Sequence, residues 1–161
     1  QNVNFVFDRT KGFSKFYLCK TQQYKKIFII YDKYLRSTWL KKLLDKIEKK
    51  QKILLIPLSA TEKTKHISSI LSLSSKLEEG NCSRSDLIIA MGGGTILDIS
   101  GFIASVYMRG VDLVMVPTTL MGQTDASSAG KTCVNGKLTK NLLVISTLFL
   151  LRVRLDLHMM V

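Results

Sequence analysis

SDLIIAMGGGTILDISGF, residues 85–102, decides how this chain is read. The apolar run Leu87 to Met91 predicts a buried strand, and the segment after it carries Ile96, Ile99, Ile103 and Val106 at helical spacing. Between the two stand Gly92, Gly93 and Gly94, which leave the backbone bare where a helix N-terminus points its free N–H groups. An anionic group such as a pyrophosphate can sit there. The G-x-G-x-x-G fingerprint is absent, because Leu97 stands three positions beyond Gly94.

Working outward, short runs rich in Ile, Leu and Val recur at Val3 to Phe7, Ile27 to Tyr31, Ile53 to Ile56 and Leu113 to Val116. Helix-compatible stretches lie between them. Ser37 to Lys50 carries Leu40, Leu43, Leu44 and Ile47 on one stripe, and Thr61 to Glu79 carries Ile67, Ile70, Leu71, Leu73 and Leu77. The second is expected to hold His66 at an exposed helical position and to close at Gly80-Asn81, with Gly80 in the left-handed conformation. Met108-Arg109-Gly110 turns the chain into VDLVMVP, which Pro117 ends. Strands alternating with helices predict an α/β fold, Rossmann-like, with a mainly parallel sheet covered by helices on both faces.

At 161 residues the chain fits one domain with a core of its own. Cys19, Cys82 and Cys133 are odd in number and lack C-x-x-C spacing, so neither a disulfide framework nor a zinc knuckle is indicated, and a reducing, cytoplasmic setting is the simplest reading. The net charge of +12 raises a nucleic-acid hypothesis. Most lysines, however, lie in the first 80 residues at places such as Lys25, Lys41, Lys49 and Lys52, flanking helices and strands as a solvated surface would, and no nucleic-acid partner is expected. No signal-peptide pattern opens the chain, and the longest apolar run, Leu142 to Leu151, is about half of the ~20 residues that cross a bilayer, so no membrane association is expected. His66 and His158 show no ligand spacing, and no metal is assigned to this chain.

In open α/β sheets ligands bind beyond the carboxyl ends of the strands, where this chain places its unusual residues. Asp32 follows FIIY, the glycines follow LIIAM, and Thr118-Thr119 follows LVMVP. An Asp after an early strand can accept hydrogen bonds from ribose hydroxyls, and it is also a common turn residue. Gly130-Lys131-Thr132 looks like the end of a phosphate loop, but the required first glycine would fall at Asp125. Asp125, Lys131, Lys140 and Asn141 share a loop of small residues with Ser127, Ser128 and Asn135. By themselves these residues leave two readings open, a solvated loop and a site for a substrate bearing hydroxyls, carboxylate and phosphate.

GGGTILDISGF, YMRG, VPTTL, QTDASSAGKTCVN and KN, in this order and spacing, together with Glu62-x-x-Lys65 after Pro57, resemble the N-terminal half of 3-dehydroquinate synthase and its sugar-phosphate cyclase relatives. The resemblance covers roughly Ile27 to Asn141 and its run of motifs is highly specific. It implies a carbon–oxygen lyase of the shikimate pathway, converting 3-deoxy-arabino-heptulosonate 7-phosphate, a phosphorylated seven-carbon keto acid, to 3-dehydroquinate and phosphate. Transient oxidation of a ring hydroxyl by NAD would acidify the neighbouring C–H, with no net redox change. By position, the resemblance implies that Asp32, Glu62, Lys65, Gly93, Gly94, Thr95, Asp98, Thr118 and Thr119 hold NAD. Asp125, Lys131, Lys140 and Asn141 would hold the substrate, with both lysines also near the cofactor. Arg109 would reach a substrate phosphate across a homodimer interface.

The resemblance also implies a divalent metal, zinc or cobalt, held by a Glu and two His of a helical second domain, which this chain is expected to lack. The expected organisation is therefore an NAD-binding domain over 1–141 and a divergent tail over 142–161. If the chain is the whole product, little or no cyclase activity is expected. The alternatives are a related cyclase, a polyol dehydrogenase, or a non-catalytic NAD-binding or dimerisation remnant. Cys133 stands where the family usually has Gly, and Ala129 where it has another.

Overall fold

The computed structural model describes residues 5–7, 21–35, 37–45, 47, 50–126, 130–146 and 150–154. Val3, Cys19, Lys49, residues 127–129 and His158, singled out above, lie outside them.

The apolar runs become strands β1 (Phe5–Phe7), β2 (Lys26–Asp32), β3 (Lys52–Leu58), β4 (Leu87–Gly92) and β5 (Asp112–Pro117). Helices α1 (Ser37–Leu44), α2 (Ile67–Glu79) and α3 (Gly94–Val106) alternate with them. A hairpin follows, β6 (Lys131–Val134) paired antiparallel with β7 (Leu143–Ser146), and then β8 (Leu150–Arg154). Among the described residues the main sheet runs β1-β8-β5-β4-β2-β3, with every pairing parallel. The stretch beyond Asn141, set apart by its sequence, thus supplies β7 and β8, whose backbones pair with β6 and with β5 and β1.

Period-two alternation sorts the core into two layers. Phe28 and Ile30 of β2 join Ile88 and Ala90 of β4, under Ile70, Leu73 and Leu77 of α2 and Ile96, Ile99 and Ile103 of α3. Ile27 and Ile29 join Ile89, Met91 and Val116 on the opposite face, under Leu43 and Ile47. Both faces are covered, as the sequence pattern requires. The chain leaves β2 for α1 on one face and β4 for α3 on the other. The neighbouring strands β2 and β4 therefore open a crevice at their carboxyl ends.

Three local expectations are corrected. The Thr61–Glu79 stretch is not one helix: Glu62–Thr64 forms a 3₁₀ turn and α2 begins at Ile67. His66 is its N-cap, accepting from Ser68 N–H through Nδ1, so it is a capping residue at the start of the helix. At the other end Gly80 is right-handed, with φ −75°, and Asn81 takes the left-handed conformation with φ 53°. Gly80 serves clearance instead, since a Cβ there would lie 2.5 Å from Phe28 Cε1. Asn tolerates the left-handed region better than most side chains.

At the amino edge of the sheet the Tyr24 hydroxyl donates to Asp112 Oδ2 at 2.6 Å. Burial, then this bond, push its ionisation up from 10.0 to about 12. Tyrosine in the unfolded chain ionises first, so the stability this group contributes is intact below pH 10 and is lost as pH rises through 12. Urea unfolding at pH 9 and 11.5 is expected to show a smaller loss of stability in Tyr24→Phe than in the parent chain. Equal losses would remove Tyr24 as a source of the slope.

Candidate functional site

The glycine triplet works through clearance, since Gly110 and Gly130 are the glycines with positive φ among the described residues. Gly92 pairs with Pro117 in the sheet and its carbonyl accepts from Thr118 N–H at 2.9 Å. A Cβ on Gly92 would come within 2.7 Å of Ile96 Cγ1. Gly93 is the N-cap of α3 in extended conformation, and a Cβ there would meet Thr119 Cγ2 at 3.3 Å. Thr119 in turn accepts from Gly122 N–H through Oγ1, which starts the π-helical turn Gly122–Ala126. The start of α3 thus has backbone on one side and the Thr118-Thr119 turn on the other. It carries no side-chain cap and no acidic residue in its first turn, so its leading N–H groups lack the side-chain acceptors that normally satisfy them. A pyrophosphate fits that donor set.

Asp32 closes β2, and its Oδ1 accepts from Tyr34 N–H at 3.0 Å. The side chain therefore makes the local turn that its residue type predicts, at the mouth of the crevice.

Beside the triplet lies a polar cluster assembled from four separate segments. Lys65, 8% exposed, sets its ammonium 2.5 Å from Asp98 Oδ2 of α3 and donates to Asn141 Oδ1 at 2.7 Å. Burial by itself would lower the ionisation of Lys65; the hydrogen bond and charge of Asp98 outweigh it and hold the ammonium above the usual lysine value. Cys133 donates its thiol proton toward Asn141 Oδ1 at 3.1 Å or Asp98 Oδ2 at 3.6 Å. Burial pushes that thiol up, partly opposed by Lys65. Glu62 is exposed, and its Oε1 accepts from Asn135 Nδ2 at 2.8 Å. A cavity of about 260 Å³ opens between the Glu62–His66 turn and the loop from Gly136 to Lys140.

Of the expected site residues, the structure brings Glu62, Lys65, Asp98 and Asn141 into this cluster and lines the adjoining cavity with Lys140. Gly93, Gly94, Thr95, Thr118 and Thr119 form the neighbouring cradle. Asp125 on the π-helical turn and Lys131 at the start of β6 are exposed. Arg109 stands apart from all of these. It follows α3, whose 13 residues carry the chain about 20 Å back to the amino edge of the sheet, and it is held in a left-handed turn with φ 68°. Cys133 and Asn135 enter the cluster without a role assigned from sequence. Their contacts reach from 6 to 73 positions along the chain, beyond any strand or helix period. Among the described residues no group of three or more His, Cys, Asp or Glu could hold a metal ion, and no helix is long and apolar enough to cross a membrane.

Comparison with known proteins gives a consistent likeness. The family described as 3-dehydroquinate synthase N-terminal matches residues 55–150. A 3-dehydroquinate synthase of Saccharolobus solfataricus is 50% identical over 88 residues, 55% of this chain and 25% of that protein. A bifunctional 3-dehydroquinate synthase/phosphatase of Fusobacterium nucleatum is 36% identical over 123 residues, covering 76% of this chain and 18% of the relative. The chain therefore spans about a quarter or less of the length of these relatives. Among solved structures, 2-epi-5-epi-valiolone synthase from Streptomyces hygroscopicus with NAD+ and Zn2+ bound superposes with a TM-score of 0.80 at 25% identity, over 95% of this chain and 43% of that one. A 2-deoxy-scyllo-inosose synthase complexed with carbaglucose-6-phosphate, NAD+ and Co2+ gives 0.81 at 20% identity, over 92% and 42%, a likeness of fold.

Proposed function

The chain belongs to the 3-dehydroquinate synthase N-terminal family, and from that premise we propose that it is the NAD-binding part of a 3-dehydroquinate synthase. The reaction it serves would be phosphate elimination and ring closure on a phosphorylated seven-carbon keto acid. The observation that carries this reading is the uncapped start of α3, cleared by Gly92 and Gly93 and facing Thr119 at the crevice between β2 and β4.

In this reading the leading N–H groups of α3 receive the pyrophosphate, and Asp32 and Glu62 accept hydrogen bonds from ribose hydroxyls. Both carboxylates already have defined orientations, set by Tyr34 N–H and by Asn135. Lys65, neutralised by Asp98, presents a fixed ammonium without a net charge to disturb the cofactor's positive ring. NAD bound there would supply a reversible hydride acceptor. Asn141 in the cluster and Lys140 on the adjoining cavity, with Lys131 at the start of β6 and Asp125 on the π-helical turn, would in this reading orient the substrate's phosphate, carboxylate and hydroxyls. Arg109, at the opposite edge, would serve a neighbouring subunit's substrate in a homodimer. The described residues do not fit a divalent metal.

Titrating NAD by calorimetry tests the placement. Thr95→Asp adds a negative charge in the first turn of α3, which favours the helix but repels a pyrophosphate. The parent chain is expected to bind NAD, and Thr95→Asp to fold as stably while binding about tenfold or more weakly. A folded parent chain that gives no binding heat, or a Thr95→Asp variant of unchanged affinity, would overturn the reading.

A further inference from the structure

We propose that Asn135 is the positioning residue that locks the Glu62–Lys65 turn and the Lys140–Asn141 loop into one site; what the joined arms hold rests on the cofactor reading above. β6 ends at Val134 and delivers Asn135 into the interior at 8% exposure. There it makes three bonds of 2.8 Å to two separate segments. Its backbone N–H donates to Lys65 O, its Nδ2 donates to Glu62 Oε1, and its Oδ1 accepts from Asn141 N–H.

Each arm depends on that amide. Glu62 is an exposed residue on a three-residue 3₁₀ turn, and the bond from Asn135 fixes its carboxylate. Asn141 has φ 51°, a conformation that non-glycine residues adopt at a cost, and the bond from its N–H to Asn135 Oδ1 holds it there. With Asn141 so placed, its Oδ1 accepts from Lys65 Nζ, which closes the circuit back to the first arm. The loop between is tied at its own base, where Gly136 N–H donates to Thr139 O. One short side chain thus has to donate to one arm and accept from the other. Only an amide of this length does both: Asp has no donor, Leu has neither group, and Gln is one methylene longer.

The requirement for opposite hydrogen-bonding polarity gives a test that mere packing at this position would not satisfy. Asn135→Asp keeps the size and the acceptor for Asn141 N–H but sets a carboxylate against Glu62. Glu62→Gln alone keeps the bond, with Asn135 still donating to the Gln carbonyl. The double variant restores it reversed, the Gln amide donating to the carboxylate introduced at position 135. Hydrogen exchange read by mass spectrometry at pH 7.5 follows the segments 61–66 and 136–141, with the central strand Leu87–Gly92 as internal reference.

Asn135→Asp is expected to lower protection about tenfold or more in 61–66, and less in 136–141, whose acceptor is kept, while the reference strand stays protected. Glu62→Gln is expected to stay near the parent, and the double variant to recover most of the loss. Unchanged protection in Asn135→Asp overturns the proposal, and so does any loss, local or global, that Glu62→Gln fails to repair. These measurements need no cofactor. A cycle that closes as expected in a chain that binds no NAD leaves the clamp standing and removes the cofactor reading; a failed cycle with NAD binding intact removes only the clamp.

Discussion

Asp98→Ala is expected to lower unfolding stability by about 3 kcal/mol, toward the low end for a buried ion pair that loses one partner. The side chains of Lys65 and Asp98 retain 11% and 13% exposure, so water relieves part of the cost. The loss arises from what remains. Lys65 keeps its buried position and its bond to Asn141 Oδ1, but its counter-charge is gone. Burial, already the largest influence on its ionisation, is then unopposed by Asp98, and the ammonium shifts from above the usual lysine value to below it.

The pH dependence reverses with it. In the parent chain the raised Lys65 contributes stability that is present below the unfolded lysine value of 10.5 and lost as pH rises past it. In Asp98→Ala the penalty is largest at neutral pH and fades as pH rises toward that value. Urea unfolding from pH 7 to 10 checks both magnitude and slope. A loss below about 1 kcal/mol, the range of exposed pairs, would show that this pair does not hold the cluster together.

Gly101→Val is expected to destabilise by about 3 kcal/mol or more, through overlap. Gly101 is buried on α3 against β6, and even a Cβ there would overlap Thr132 Cγ2 and come within 3.0 Å of Thr132 Cβ and Met115 Cε. Helix propensity by itself argues the other way, since Ala in place of Gly within a helix favours folding by about 1 kcal/mol. Overlap outweighs it because Thr132 Cβ sits on the β6 backbone and cannot swing aside. Moving β6 also moves Cys133 and Asn135, the residues that follow Thr132 into the polar cluster. Gly101→Ala is therefore expected to be destabilising despite its propensity, and Thr132→Ala in the same chain to restore part of the loss. Thermal unfolding of the three variants decides the matter; a stabilised Gly101→Ala would mean that α3 and β6 are not packed this closely.

The sheet was legible because continuous runs such as IFII, LLI, LIIAM and LVMV are long enough to cross a buried layer and too short for core helices. The crevice followed from their order and from where Asp32, the glycines and Thr118 fall. The break within Thr61–Glu79 is not legible in the sequence, because Thr, Lys and Ser do not distinguish a 3₁₀ turn from a first helical turn. His66 is an uncommon cap, whereas the usual Ser comes two positions later. Gly80 is expected from sequence to be left-handed, whereas it is right-handed and matters for what would strike a side chain there. The polar cluster was legible only in part. Motif resemblance singled out Glu62, Lys65, Asp98 and Asn141, but pairing across 33 to 76 positions is a property of the folded chain. The same holds for Asn135, whose side chain links two of these residues.

NAD bound in the crevice above β2 and β4 would perturb the backbone amides that line it, and adding NAD to the isotopically labelled chain maps them as chemical-shift changes. The largest shifts are expected at Gly93 through Ile96, with further shifts at Lys33–Tyr34, Lys65 and Thr118–Thr119, and none of note at Tyr24 or Asp112 on the amino edge. Shifts concentrated at the amino edge, or an unchanged Gly93–Ile96 segment in a chain that binds NAD, would contradict that placement.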